Sequence, residues 1–166
     1  MRGPQVAAAL VLLAVAACGG GSKAGPPTSD EGPALTHDGY QQAIVDIRSS
    51  DDDAKATSLF FDLVANDLAK DECGRKTHEL HDHLEAIMTK VAALHPPAEA
   101  VSAQKEFLEA ANESVRLVGV AADDVDKGDL VCGEAMNDRI YGMPSTLRAE
   151  KAIEELVKLG YDVLGN

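Results

Sequence analysis

The chain has 166 residues and a net charge of −13, with 28 acidic residues and no tryptophan. That length suits one domain with a sizeable core, and the charge argues against nucleic acid, whose phosphates need a basic patch, and against flat binding to anionic lipid. With three Phe, three Tyr and no long apolar–polar alternation, the composition favours helices over a β-sandwich.

Residues 1–17 have the zones of a secretory signal: Arg2 as the positive end, then a 12-residue apolar run from Val6 to Ala17. That run is too short to span a bilayer, which needs about 20 residues. It ends in Val15-Ala16-Ala17-Cys18 and is followed by Gly19-Gly20-Gly21-Ser22. The stretch resembles the lipobox of bacterial lipoproteins, and the resemblance covers this segment alone and concerns processing. It departs from the usual pattern in having Val15 where Leu is commonest and one basic residue before the run. It implies that the Cys18 sulfur takes a diacylglyceryl group, that cleavage makes Cys18 the first residue, and that the new amine is often acylated too. Two or three chains anchor durably, whereas one is marginal. The implied location is extracytoplasmic, anchored by lipid to the cell membrane or outer membrane. An ordinary secretory signal with a coincidental cysteine is the alternative, and it exports the chain equally.

Removing residues 1–17 leaves 149 residues with 14 basic against 28 acidic side chains. Residues 18–34 read as the lipidated N-terminus and a linker: Gly19 to Pro33 holds five glycines and three prolines without apolar periodicity. As a flexible chain of about 16 residues it would reach roughly 22 Å. The membrane contact is expected through the lipid, with the domain standing off on this tether.

The domain is expected over 35–166. Thr36 is placed to N-cap a helix carrying Tyr40, Ile44 and Ile47. Ser49 to Asp53 interrupts that stripe, either as a kink or as the cap of a new helix. Ala56, Leu59, Phe60, Leu63, Val64 and Leu68 then mark one face over Ala54–Asp71, with Gly74 as a stop. A second helix is expected over Arg75–Leu94 with Leu80, Leu84, Ile87, Met88, Val91 and Leu94 inward. Pro96-Pro97 ends it, and Pro97 is suited to start a third helix. That helix has Val101, Leu108, Ala111, Val115, Val118, Ala122 and Val125 inward and closes at Lys127-Gly128. Asp129 is placed to cap a fourth, with Cys132, Met136, Ile140, Met143, Leu147, Leu156 and Leu159 inward, a kink or split at Pro144 and an end at Gly160. The expectation is an all-α, up-down-up-down four-helix bundle, its first helix broken near 49–53 and its fourth kinked at Pro144. Leu94-His95-Pro96-Pro97-Ala98 resembles a turn of small uncharacterised secreted helical proteins, which implies no activity.

With Cys18 assigned to lipid, Cys73 and Cys132 remain as a pair in an oxidising compartment. The bundle topology puts them at one end, at the close of the first long helix and the start of the fourth. A bridge would close a loop of about 60 residues and stabilise by roughly 4 kcal/mol in the chain-entropy model. Two unpaired buried thiols and thiolate ligation of a metal are the alternatives.

His78-Glu79-Leu80-His81-Asp82-His83, with Glu85 behind, offers metal-ligand types at helical spacing. At 100° per residue His78, Asp82 and Glu85 share the outer face, while His81 and His83 flank the apolar stripe on opposite sides. The three histidines therefore do not converge. A solvated face is the main reading, and surface metal binding drawn from His78, His81, Asp82 and Glu85 is the alternative. A haem between axial His and Met is disfavoured: no histidine follows His95, no Cys-x-x-Cys-His occurs, and Met88, Met136 and Met143 read as core filler. Asp123–Asp129 fails as an EF-hand, since counting from Asp124 puts Gly128 fifth and Ala135 twelfth. Those acids oppose the helix macrodipole, with Arg75 and Lys76 expected to offset them. No nucleophile elbow, phosphate loop or metalloprotease helix occurs, though spacing alone does not reveal a dyad assembled in space. The expectation is a non-enzymatic, lipid-anchored binding module without cofactor, presenting an acidic face to a protein or small ligand; a metal-binding protein is the alternative.

Overall fold

Two helices of this chain start where a hydroxyl cap precedes an apolar stripe. The computed structural model describes residues 33–163; Cys18, the expected signal segment and the expected tether up to Gly32 lie outside the described residues. Six helices occur there, α1 His37–Arg48, α2 Asp51–Ala65, α3 Lys70–Ala92, α4 Val101–Lys127, α5 Glu134–Tyr141 and α6 Pro144–Lys158, and no strand is found among the described residues.

Thr36 Oγ1 accepts from the Gly39 N–H at 3.1 Å, and Ser50 Oγ accepts from the Asp53 N–H at 3.4 Å. Each satisfies a donor that the first turn leaves unpaired, worth about 1 kcal/mol. The interruption at Ser49 to Asp53 is therefore the cap of a new helix, with Asp51, Asp52 and Asp53 placed favourably at its positive end. Gly128 ends α4 in the left-handed conformation (φ 86°), which suits a residue without Cβ.

Several boundaries differ from the sequence reading. Asn66 to Ala69 already joins two helices, and Gly74 is no stop but lies buried within α3. A glycine inside a helix costs about 1 kcal/mol relative to alanine. Here a Cβ would stand 2.6 Å from Asp126 Oδ1, so the close approach of α4 explains it. Pro97 precedes a turn closed by Ala100 N–H to Pro97 O at 2.9 Å, and α4 begins only at Val101. The fourth expected helix is two, with Pro144 in the first turn of α6. Asp129 caps neither, because α5 follows Gly133 (φ 87°). Restarting at Pro144 rotates the buried face onto Ser145, Thr146, Ala149, Ala152, Ile153 and Leu156, which leaves Leu147 60% exposed; Leu159 and Val101 are also exposed rather than inward.

Cross-helix contacts give the register. Lys76 meets Asp62 and His83 meets Asp52 between α3 and α2. His78 meets Asp126, and Gln104 meets Val91 and Leu94, between α3 and α4. Residue numbers fall on one helix as they rise on the other, so both pairs run antiparallel. Two apolar clusters result. One gathers Phe60, Leu63, Leu80, Leu84, Val115, Met136 and Ile140. The other gathers Tyr40, Phe107, Ile153, Leu156, Tyr161 and the alanines at 110, 111, 149 and 152.

Cys73 and Cys132 lie at disulfide distance, with sulfurs 2.05 Å and Cα atoms 5.9 Å apart. The route to that meeting differs from the expected one. Cys73 belongs to the first turn of α3 rather than to the end of the preceding helix, and Cys132 sits in the turn before α5.

Candidate functional site

The core residues Leu80, Leu84 and Ile87 fix the rotation of α3, and that rotation sends its three histidines to three different partners. His78 Nε2 is 2.9 Å from Asp126 Oδ2 on α4. His83 Nδ1 is 2.9 Å from Asp52 Oδ1 on α2, and Lys90 Nζ donates to Asp52 Oδ2 at 2.8 Å. Lys90 first, then His83, holds the Asp52 carboxyl below its ordinary range.

His81 remains on its own turn. Its Nδ1 lies 3.7 Å from Asp82 Oδ1 and its Nε2 lies 3.9 Å from Glu85 Oε1. One ligand atom each from His81, Asp82 and Glu85 falls within 4.8 Å of the others. His78, included with them on sequence grounds, is instead drawn to α4. Glu79 is engaged by Arg75 at 2.6 Å and His83 by Asp52. The His81 ring also rests against Gly119 of α4, where a Cβ would stand 3.1 Å from Nε2. Gly119 went unnoticed in the sequence, although a glycine inside a helical stripe is itself a signal of close approach.

Two of the acids at the end of α4 have partners other than those expected. Asp124 Oδ2 accepts from Arg139 at 2.6 Å and Asp126 faces His78. Arg75 and Lys76, expected in that role, pair with Glu79 and with Asp62 and Glu72. Met88, Met136 and Met143 are buried in the core.

Two hollows adjoin the second apolar cluster. A crevice of about 40 Å³, lined among others by Tyr40, Ile44, Ile87, Phe107, Ile153 and Asp53, lies between the helices. Burial pushes the Asp53 carboxyl up, with Arg48 opposing. The crevice is far below the ~300 Å³ at which ligand pockets begin. A shallow groove of about 640 Å³ runs beside Pro96, Val101 and Leu108. Gln104 borders it and donates Nε2 to the Val91 and Leu94 carbonyls at 3.3 and 3.0 Å, which caps the end of α3 and leaves its buried Oε1 without a partner.

An aromatic patch lies on the opposite cluster. Buried Phe60 holds Phe61 and Tyr141 at ring-centroid distances of 5.7 and 5.9 Å, and these two are 43% and 39% exposed. Glu150 borders the patch: burial first, then the Glu150 charge, pushes the Tyr141 hydroxyl up, and burial with the neighbouring Glu154 pushes Glu150 up.

Compared with protein families, with curated proteins and with solved structures, the chain matches none.

Proposed function

We propose that this chain is a non-enzymatic, lipid-anchored extracytoplasmic binding module, carried on Cys18 and its tether. Its partner is a protein whose apolar patch is ringed by basic side chains. The observation that carries this reading is the exposed pair Phe61 and Tyr141, seated on buried Phe60, with Glu150 beside Tyr141. Aromatic side chains are enriched at protein interfaces and supply large contact area at low entropy cost. The overall charge of −13 selects against acidic partners and speeds encounter with basic ones. The six helices group into four rods, with α1 and α2 forming the first and α5 and α6 the last. The antiparallel pairs and the turn-sized gaps between α1 and α2 and between α5 and α6 support an up-down-up-down bundle.

Photocrosslinking from positions 61 and 141 of the whole lipidated chain in intact cells tests the interface. A discrete protein adduct from these sites, absent when the crosslinker is moved to exposed Val157, is expected; indistinguishable adducts from all three positions would reject it. Intact mass of the mature chain tests the anchor: a diacylglyceryl increment lost in Cys18→Ala is expected, and an unmodified Cys18 would sink that part of the reading. Turnover in a broad hydrolase screen would overturn the non-enzymatic part.

A further inference from the structure

We infer that His81, Asp82 and Glu85 form a site for a divalent cation of borderline softness, such as Zn²⁺, on the outer turn of α3 and seated against Gly119 of α4. This goes beyond the interaction reading and does not depend on it.

Three features carry the inference. First, the donor set is an imidazole nitrogen and two carboxylate oxygens gathered within 4.8 Å. An ion binds such donors at about 2.0–2.2 Å, so in a loaded tetrahedral site they stand roughly 3.4 Å apart. Because the 3.7 and 3.9 Å approaches are to different ring nitrogens, the donors, now within 4.8 Å of one another, must close by up to about 1.4 Å. Asp82, 80% exposed, and half-exposed Glu85 can supply that closure by side-chain rotation.

Second, the charge there is uncompensated. The neighbouring α3 acids Glu72 and Glu79 face Lys76 and Arg75. Asp82 and Glu85 have no lysine or arginine partner among the described residues, only His81 between them. Two carboxylates on one turn repel each other, and a cation relieves that repulsion.

Third, the nitrogen ligand is pre-positioned. His81 is 21% exposed, and its ring occupies the space that a Cβ on Gly119 would contest, with Nε2 at 3.1 Å and Cδ2 at 3.2 Å. The two carboxylates approach opposite ring nitrogens, so a loaded site uses one nitrogen and draws the farther carboxylate across. Nitrogen with oxygen donors favours Zn²⁺ or Cu²⁺ over Ca²⁺ and Mg²⁺, which take oxygen alone. Three protein ligands leave room for water, the arrangement of an exchangeable rather than a structural ion.

Calorimetric titration of the metal-free mature chain with Zn²⁺, and with Ca²⁺ as the hard-cation control, tests the site. One Zn²⁺ per chain and no Ca²⁺ binding are expected. His81→Ala and Glu85→Gln should each remove the Zn²⁺ heat, while His78→Ala and His83→Ala should leave it unchanged. Gly119→Ala replaces no ligand yet displaces the ring, and should weaken Zn²⁺ about tenfold, the scale of a positioning residue at a metal. The melting temperature should change little, because the helix propensity gained with alanine offsets the displacement of the ring. Absence of Zn²⁺ heat, equal binding of Ca²⁺, or binding that survives His81→Ala would each overturn the inference, and none of these bears on the Phe61–Tyr141 interface.

Discussion

Around Phe60, Leu80, Leu84, Met136 and Ile140 the core is filled by large side chains and tied by the Cys73–Cys132 pair. Around Ala110, Ala111, Ala149 and Ala152 it is filled by methyl groups, and the ties are polar. There Ser114 Oγ donates to Ser145 Oγ at 2.6 Å across the seam of α4 and α6. Tyr161 OH donates to Glu99 Oε1 at 3.1 Å. The amide of Gln41 and the backbone of Asp162 exchange two hydrogen bonds, at 3.0 and 2.6 Å. Small residues let helix backbones approach closely, so the second region gains contact by proximity where the first gains it by side-chain bulk. The two should fail differently: the first to cavities and reduction, the second to added volume and to base.

The largest effect is expected from Phe60→Ala, which empties the centre of the first region and should cost about 3–5 kcal/mol in urea unfolding. A cost near 1 kcal/mol would mean that the site collapses. Removing both thiols as Cys73→Ala with Cys132→Ala should cost about 2–5 kcal/mol. Hydrogen exchange should then rise first at the start of α3 and in the turn before α5, leaving the α4–α6 seam protected; a uniform rise would erase the distinction between the regions. Ala111→Leu or Ala149→Leu should cost about 1–3 kcal/mol by overpacking, and a neutral outcome would show the seam to be loose.

Tyr161→Phe should cost about 1 kcal/mol through its lost hydrogen bond. It also changes the response to base. Burial, then Glu99, pushes the Tyr161 hydroxyl up to about 12, and burial pushes Tyr40 up as well. A folded-state value raised above the ordinary 10.0 of tyrosine gives stability that is complete below pH 10 and lost as pH rises towards 12. Chemical denaturation across that range should show the decline, reduced in Tyr161→Phe. The smallest effect belongs to Lys90→Met. Because Lys90 and His83 hold Asp52 low, their contribution is present at neutral pH and disappears as pH falls below the ordinary carboxylate range. The variant should lose only about 0.2–1 kcal/mol near pH 7, and less in acid from this group than the parent, since His83 still faces Asp52.

Much of the helical layout was legible because its signals are local. Thr36 and Ser50 cap by virtue of their own hydroxyls, Gly128 stops a helix by its own lack of Cβ, and the buried faces of α3 and α4 follow the 3.6-residue period. Errors came where a local signal had a distant cause. Gly74 looked like a terminator because glycine usually is one, yet Asp126 on another helix is what requires it. Leu68 prolonged an apolar stripe past Ala65 because a connecting residue can also pack on the core. Leu147 lost its inward position when Pro144 restarted the helix and reset its phase.

The candidate metal site divides in the same way. That His81, Asp82 and Glu85 share one turn follows from spacing. That His78 leaves the set, and that Gly119 seats the ring, depends on α4 lying alongside α3. The sequence by itself determined helical class, the caps at Thr36, Ser50 and Gly128, and most of the buried stripes, because those depend on residues within one or two turns. Tertiary structure alone decided which charge meets which, why glycine stands inside two helices, and how Cys73 reaches Cys132 across 59 positions. Such pairings are set by packed faces whose contacts are far apart in the chain, and no local pattern encodes them.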